Sequence, residues 1–223
     1  MKAYGGAKYE WNEQVAALAA YAQGKTVEQL RSGAITEAGM AADADLASTA
    51  TIYLGGFVSA IESAVANAAH LGAQSGDVLK LASISSTAKS TPADGETKGL
   101  AQLDTDVTAM TMNGDTITSC YIDSLQGKAE FDAAGAITTD LTAPLLTKNQ
   151  LGEDYGMKAW GSAIAEWNEQ AASFAAYVTG KTPADVAGIA VNEKTAPTDA
   201  DLATSVTIAV GGFQALIAKA AGN

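Results

Sequence analysis

Apolar residues recur at spacings of three and four between Met157 and Val178, where Trp160, Ile164, Trp167, Ala171, Phe174 and Val178 share one side of a helical wheel. That period predicts one long amphipathic helix over 157–179, with a counterpart over 1–23. Gly180 stands where a helix closes in the left-handed conformation, and Thr182-Pro183 opens a short second helix with threonine as N-cap and proline in the first turn. Thr198-Asp199-Ala200-Asp201-Leu202 is another helix start. The β-branched stretch 206–210 breaks at Gly211-Gly212 before a final helix, Phe213 to Ala221. Between 78 and 145 the pattern is that of antiparallel strands. Leu103–Met112 and Asp115–Asp123 flank Asn113-Gly114, a strong hairpin signal. Lys128–Asp132 and Ala136–Asp140 flank Ala134-Gly135 as a second hairpin, and Val78–Ile84 reads as an edge strand. The polar stretch Ser85–Gly99 reads as a loop.

The two helical stretches are copies of each other. With an offset of 156 positions, 32 of 67 residues are identical without a gap, from Met1/Met157 to Asn67/Asn223. Glu10-Trp11-Asn12-Glu13-Gln14 falls on Glu166-Trp167-Asn168-Glu169-Gln170, Gly24-Lys25-Thr26 on Gly180-Lys181-Thr182, and Gly55-Gly56-Phe57 on Gly211-Gly212-Phe213. A period longer than the copied segment means that the repeated unit includes a part present once, residues 68–156. The expected organisation is therefore a helical segment at 1–67, a linker and antiparallel β segment at 68–156, and the second helical copy at 157–223. The fold class is α+β. Because Met1 coincides with Met157 inside the second copy, the expectation is a start codon placed within a longer reading frame. The first copy has no sheet segment ahead of it, yet keeps an apolar stripe of Tyr4, Trp11, Val15, Leu18 and Ala22, with Lys8 in place of Ile164. Such a face is expected to dock on the other side of the sheet or, preferably, on a second molecule, giving a homodimer through residues 1–67.

Composition narrows the function classes. Thirteen Lys and Arg against 25 Asp and Glu leave a net charge of −12, which opposes binding to nucleic acid and anionic lipid. One cysteine and one histidine exclude a disulfide framework and multi-thiolate or multi-histidine metal sites. There are 48 alanines, so much of the core is expected to be close helix contact through small side chains. No apolar run reaches the length of about 20 residues needed to span a bilayer, and the start lacks a signal-peptide core.

Candidate chemistry is sparse. The pairs Asp43/Asp45, Asp199/Asp201 and Asp104/Asp106 lack the further ligands and glycine of a calcium loop; the first two read as helix N-terminal charge and the third as strand surface. His70 lies in a linker with no Gly-x-Ser-x-Gly elbow to serve, and Cys120 sits mid-strand without a cationic neighbour. Gly55-Gly56 and Gly211-Gly212 precede helices without a phosphate-loop context, so a backbone turn is the expectation. Trp11, Trp160 and Trp167 are expected in the core. No catalytic residue and no metal ligand is assigned.

The strings Leu100-Ala101-Gln102, Asn113-Gly114-Asp115-Thr116-Ile117-Thr118-Ser119-Cys120-Tyr121-Ile122-Asp123 and Thr147-Lys148-Asn149-Gln150-Leu151-Gly152-Glu153-Asp154-Tyr155-Gly156-Met157 together resemble a family of uncharacterised, repeat-containing bacterial extracytoplasmic proteins, often lipoproteins. The strand–Gly–strand pattern is more distantly similar to FMN-binding domains of electron-transfer proteins. In those that attach flavin covalently the motif is of the Asp-Gly-Ala-Thr type; Asp94-Gly95-Glu96-Thr97 places glutamate before the threonine. The resemblance implies an extracytoplasmic or cell-surface location. Because the sequence shows no nucleophile–base pair and no metal cluster, the expected function is a non-enzymatic binding or structural module without a resident cofactor; the distant similarity gives an FMN-binding electron-transfer domain as the alternative.

Overall fold

The computed structural model describes residues 1–222, apart from the side chain of Tyr4. The side chain of Tyr4, expected on the first apolar stripe, and Asn223, the last repeat position, therefore lie outside the description. The chain divides into two compact units, Met1–Ala69 and His70–Asn223. The architecture is α+β, with a three-stranded antiparallel sheet in the order β1-β2-β3.

The first unit is helical: α1 (Lys2–Gly5), α2 (Trp11–Ala22), α3 (Val27–Gln29) continuing into a π-turn at Leu30–Ala34, α4 (Ala44–Thr49) and α5 (Gly55–Ala66). The second begins with β1 (Val78–Ser86), β2 (Gly99–Asn113) and β3 (Thr116–Phe131). It continues through α6 (Lys148–Leu151), a 3-10 turn at Gly152–Tyr155, α7 (Met157–Gly161), α8 (Trp167–Val178), α9 (Pro183–Ala187), α10 (Ala200–Ala203) and α11 (Gly211–Ala221). At the offset of 156, α2, α3, α4 and α5 begin at the same repeat positions as α8, α9, α10 and α11.

Repeated capping explains the shared boundaries. The Asp43 carboxylate accepts from the N–H groups of Asp45 and Leu46 at 3.0 and 3.1 Å, and Asp199 accepts from those of Asp201 and Leu202 at 3.1 and 3.0 Å. Thr182 caps α9 through the N–H of Asp185, with Pro183 in the first turn. Gly180 is left-handed at φ 87°, as is Gly24 at φ 75°.

The continuous helix expected over 157–179 is corrected to two. Ser162 takes a left-handed conformation after α7, and α8 starts afresh at Trp167. The cause is Glu166. Its buried carboxylate accepts from the N–H groups of Met157 and Lys158 at 2.8 and 2.9 Å, while its own N–H donates to Glu169 at 2.7 Å. One side chain thus serves the first turn of α7 while standing at the N-cap of α8, and a straight helix could not satisfy both. Glu10 repeats the arrangement towards Met1 and Lys2. The break also moves Trp160 and Ile164 off the stripe: Trp160 is 90 % exposed.

The second hairpin is likewise shorter than expected. β3 runs unbroken to Phe131 because β2 begins at Gly99 and pairs Gly99 with Phe131, Gln102 with Lys128 and Asp104 with Gln126. Residues 136–140 add only a bridge between Phe131 and Ile137. β1 extends from the expected edge strand to Ser86.

Side chains on one face of the sheet meet the helices. Met110, Met112, Ile117, Cys120 and Ile122 join Trp167, Ala171, Phe174, Val178, Phe213, Leu216 and Ile217 in one core. α8 lies on β3, and α11 crosses β1 and β2. Two backbone bonds fasten the end of α8 to the strand, Gly180 N–H to Ile117 O at 2.8 Å and Ile117 N–H to Lys181 O at 2.9 Å. The first unit has its own smaller core of Leu18, Leu30, Ala34, Leu46, Ala50, Leu54 and Val58.

A buried carboxamide holds each helical copy together. Gln170 Oε1 accepts from the N–H and hydroxyl of Thr207 at 2.8 and 3.2 Å and from the N–H of Ile208 at 3.2 Å, while its Nε2 donates to Ala165 O at 2.8 Å. Gln14 does the same with Thr51, Ile52 and Tyr9. Gln170→Ala leaves these groups without their partner, and the expected loss is about 2–4 kcal/mol of unfolding free energy. Urea denaturation of the variant beside the parent checks this; an unchanged midpoint would rule out the structural role of the carboxamide.

Candidate functional site

Strand alternation gives the sheet two faces of different fate. One is covered by α8 and α11. The other carries Leu79 and Leu81 from β1, Leu103 and Val107 from β2, and Tyr121 from β3, all exposed; Leu81 is 66 % accessible. At its far end this open face deepens into a groove of about 590 Å³ lined by Ala101, Leu103, Ala129, Leu141, Pro144 and Leu145. Gly127 forms part of the floor, and a Cβ there would come within 3.7 Å of the Leu145 side chain.

The covered face becomes polar beyond the helices. Asp104 accepts from Gln102 Nε2 at 2.9 Å and Gln126 Nε2 at 2.8 Å, and pairs with Lys89 at 3.0 Å. Burial works against the Asp104 carboxylate, but the Lys89 ammonium and the two carboxamides outweigh it and hold its pKa below the ordinary value. Asp104 is thus a partnered group within the fold, rather than the freely solvated strand surface expected from the sequence. Gln126 also accepts from the Tyr155 hydroxyl at 3.4 Å. Lys148 places its ammonium 5.0 Å from the Tyr155 ring centre and 4.8 Å from that of Trp167, joining the polar end to the core.

A smaller cavity, about 250 Å³, lies between β3 and α8, with Leu71, Cys120, Ile122, Asn149, Asn168 and Ala175 in its wall. Asn149 Nδ2 donates to the Tyr121 hydroxyl at 2.8 Å and to Ile122 O at 3.0 Å. Asn168 Oδ1 is buried without a hydrogen-bond partner among the described residues. Desolvation pushes the Cys120 thiol up to about 11, against a lowering by the Thr108 hydroxyl. A thiol held protonated in this way is a packing group and a poor nucleophile.

The remaining sequence candidates are scattered. His70 is exposed in the segment after α5 and makes no hydrogen bond among the described residues. Asp94 and Thr97 close an exposed turn by exchanging backbone bonds at 3.0 and 2.6 Å. Gly55 and Gly211 open α5 and α11 where a Cβ would meet the Tyr53 hydroxyl at 2.4 Å and Thr195 at 3.1 Å, so close packing accounts for them. Trp167 is buried beside Phe213, at 5.8 Å between ring centres, whereas Trp11 and Trp160 are exposed and correct the expectation of three core tryptophans. Among the described residues no group of three or more His, Cys, Asp or Glu side chains is gathered as a metal site. Sequence reading missed Glu166, Gln170 and Asn168, although their identity with Glu10, Gln14 and Asn12 was the available signal.

No family model matches the chain, and no curated protein or solved structure proved similar to it.

Native Cys120 is expected to react with an aromatic disulfide reagent at least about a hundredfold more slowly than in urea at pH 8. The folded-state thiol titrates above the unfolded one, so its contribution is intact below the ordinary value of 9.0 and is lost as pH rises towards about 11. Stability measured across that window should fall for the parent and less for Cys120→Ala.

Proposed function

We propose that this protein is a non-enzymatic binding or structural module that works outside the cytoplasm and associates through apolar surfaces. The observation that carries the reading is the open face of the sheet, where Leu79, Leu81, Leu103, Val107 and Tyr121 are exposed together. A single exposed leucine needs no explanation, but Leu81 and Tyr121 flank Ala109 on the neighbouring strands, with Leu79 and Val107 beside them, and such a cluster suits an association surface. No helix among the described residues is long and apolar enough to cross a membrane.

Residues 1–67 supply a second apolar surface, and self-association through it gives a homodimer. A two-fold contact closes on itself and covers both copies of the patch at once. Trp11, packed on Phe57 at 5.9 Å between ring centres, is its most prominent side chain.

Light scattering behind size exclusion is expected to report twice the mass of the 223-residue chain. Trp11→Asp should return the monomer without loss of helicity by circular dichroism. A monomer for the parent at all concentrations would reject the dimer, and visible flavin absorbance in the purified protein would replace the module reading with the electron-transfer one.

A further inference from the structure

The two helical copies differ in what covers them, and the difference is confined to one face. Residues that build the internal core are buried in both: Leu18 and Phe174, Leu30 and Val186, Leu46 and Leu202, Ala50 and Val206, Leu54 and Val210. The residues that in the second copy meet the sheet are uncovered in the first. Trp167 is 6 % exposed and Trp11 is 53 %. Ala175, Leu216 and Ala220 are buried, while Ala19, Ala60 and Ala64 at the same repeat positions are exposed. Val178, Phe213 and Ile217 are buried, while Ala22, Phe57 and Ile61 are half-buried. The backbone repeats the contrast. Gly180 N–H and Lys181 C=O exchange bonds with Ile117 of β3; Gly24, which is left-handed like Gly180, and Lys25 are exposed, and their N–H and C=O make no such bond among the described residues.

We infer that this face of residues 1–69 is the seat of a second three-stranded sheet of the β1–β3 kind, one without a helical copy of its own, because in 70–223 the matching sheet face and Ile117 are already taken by the second copy. The seat asks for two things together. One is an apolar strand face, to cover Trp11, Val15, Ala19, Phe57 and Ile61. The other is an edge-strand residue placed as Ile117 is, which accepts from Gly24 N–H and donates to Lys25 C=O. The helical core behind the seat is already built, so docking adds a layer and requires no refolding. Smaller side chains at Ala22 and Ala60, where the second copy has Val178 and Leu216, leave room for larger residues on the incoming sheet.

The test supplies the sheet. Residues 70–156 are placed directly ahead of Met1 in the full chain, so that Gly156 precedes Met1 as it precedes Met157. Amide exchange at Gly24 is expected to slow by about a hundredfold or more relative to the 223-residue chain. Hydroxyl-radical modification of Trp11 should fall to the level of Trp167. Ile117→Asp in the added sheet alone should restore both to their starting values. The inference is overturned if Gly24 and Trp11 stay as accessible as before, whether the added sheet is folded elsewhere or unfolded. The face cannot hold a dimer partner and the sheet at once, so both probes are compared at dilutions at which light scattering finds the unextended chain monomeric; a parent that is monomeric at all concentrations, with a protected Trp11 in the extended chain, rejects the dimer and keeps the seat.

Discussion

The helical copies depend on one buried carboxamide. A primary amide can donate and accept at once, and at Gln170 both capacities are spent on backbone from different parts of the chain. That ties the start of α8 to the irregular stretch between α10 and α11, which has no ladder or helix to satisfy its own N–H groups. Without it the N–H groups of Thr207 and Ile208 would lose their protein partner. Gln14 repeats every one of these bonds within a few tenths of an ångström, although less than half of the surrounding sequence is shared. Apolar positions vary in volume between the copies, Leu18 for Phe174 and Leu30 for Val186, while the polar node does not vary at all. This follows from chemistry: a core tolerates a repacked hydrophobe far better than an orphaned hydrogen-bonding group.

Local compensation around the node shows how far the copies can drift. Thr195 is left-handed at φ 59°, a conformation a β-branched residue adopts only under constraint, and its counterpart Gly39 takes φ 73°. A Cβ at Gly39 would meet the Tyr53 ring at 2.3 Å where the ring now stands, so the ring would have to shift; at the position of Tyr53 the second copy has the smaller Ala209 beside Thr195. Similarly Gln214 donates to the carbonyls of Val186 and Ile189, where the first copy buries Val58 and adds the Arg31–Glu62 ion pair across the same helices. The frame is held by different means around an unchanged centre.

Much of this architecture was legible in the sequence because its signals are local. Asn113-Gly114 marks its turn through one glycine that accepts a positive φ, and Asp43, Asp199 and Thr182 mark helix starts through side chains bonded two or three residues ahead. The missed features are those in which a local preference yields to a distant partner. Met157 to Val178 has helical periodicity throughout, yet Glu166 reaches back to the N–H of Met157 and breaks it. Glutamate is a rare residue at an N-cap, so no motif announced the break. The length of β3 was hidden for a related reason: Lys128–Phe131 continues as strand because Gly99–Gln102 lies beside it, and that stretch had no strand signature of its own. The cavity wall at Asn168 and the polar knot at Asp104 combine residues up to tens of positions apart, which periodicity cannot bring together.

The repeat turns exposure into an argument that a single copy could not supply. An exposed tryptophan on an isolated helical unit is ambiguous, since about half of any protein surface is apolar. The same tryptophan, in the same pentapeptide, on the same first turn of the same helix, is buried where a sheet is present. What differs between Trp11 and Trp167 is therefore the neighbour and not the residue. Amphipathic helices of this length owe most of their stability to the surface they pack on, and alanine-rich ones have few large side chains with which to gain it. In the second unit α8 obtains that surface from β3; in the first, α2 packs on a small core of leucines, alanines and Val58. Retaining Trp11 and Phe57 on the uncovered side keeps an apolar face that solvent alone gives no reason to keep, which is why the face is better understood as half of a contact than as a surface.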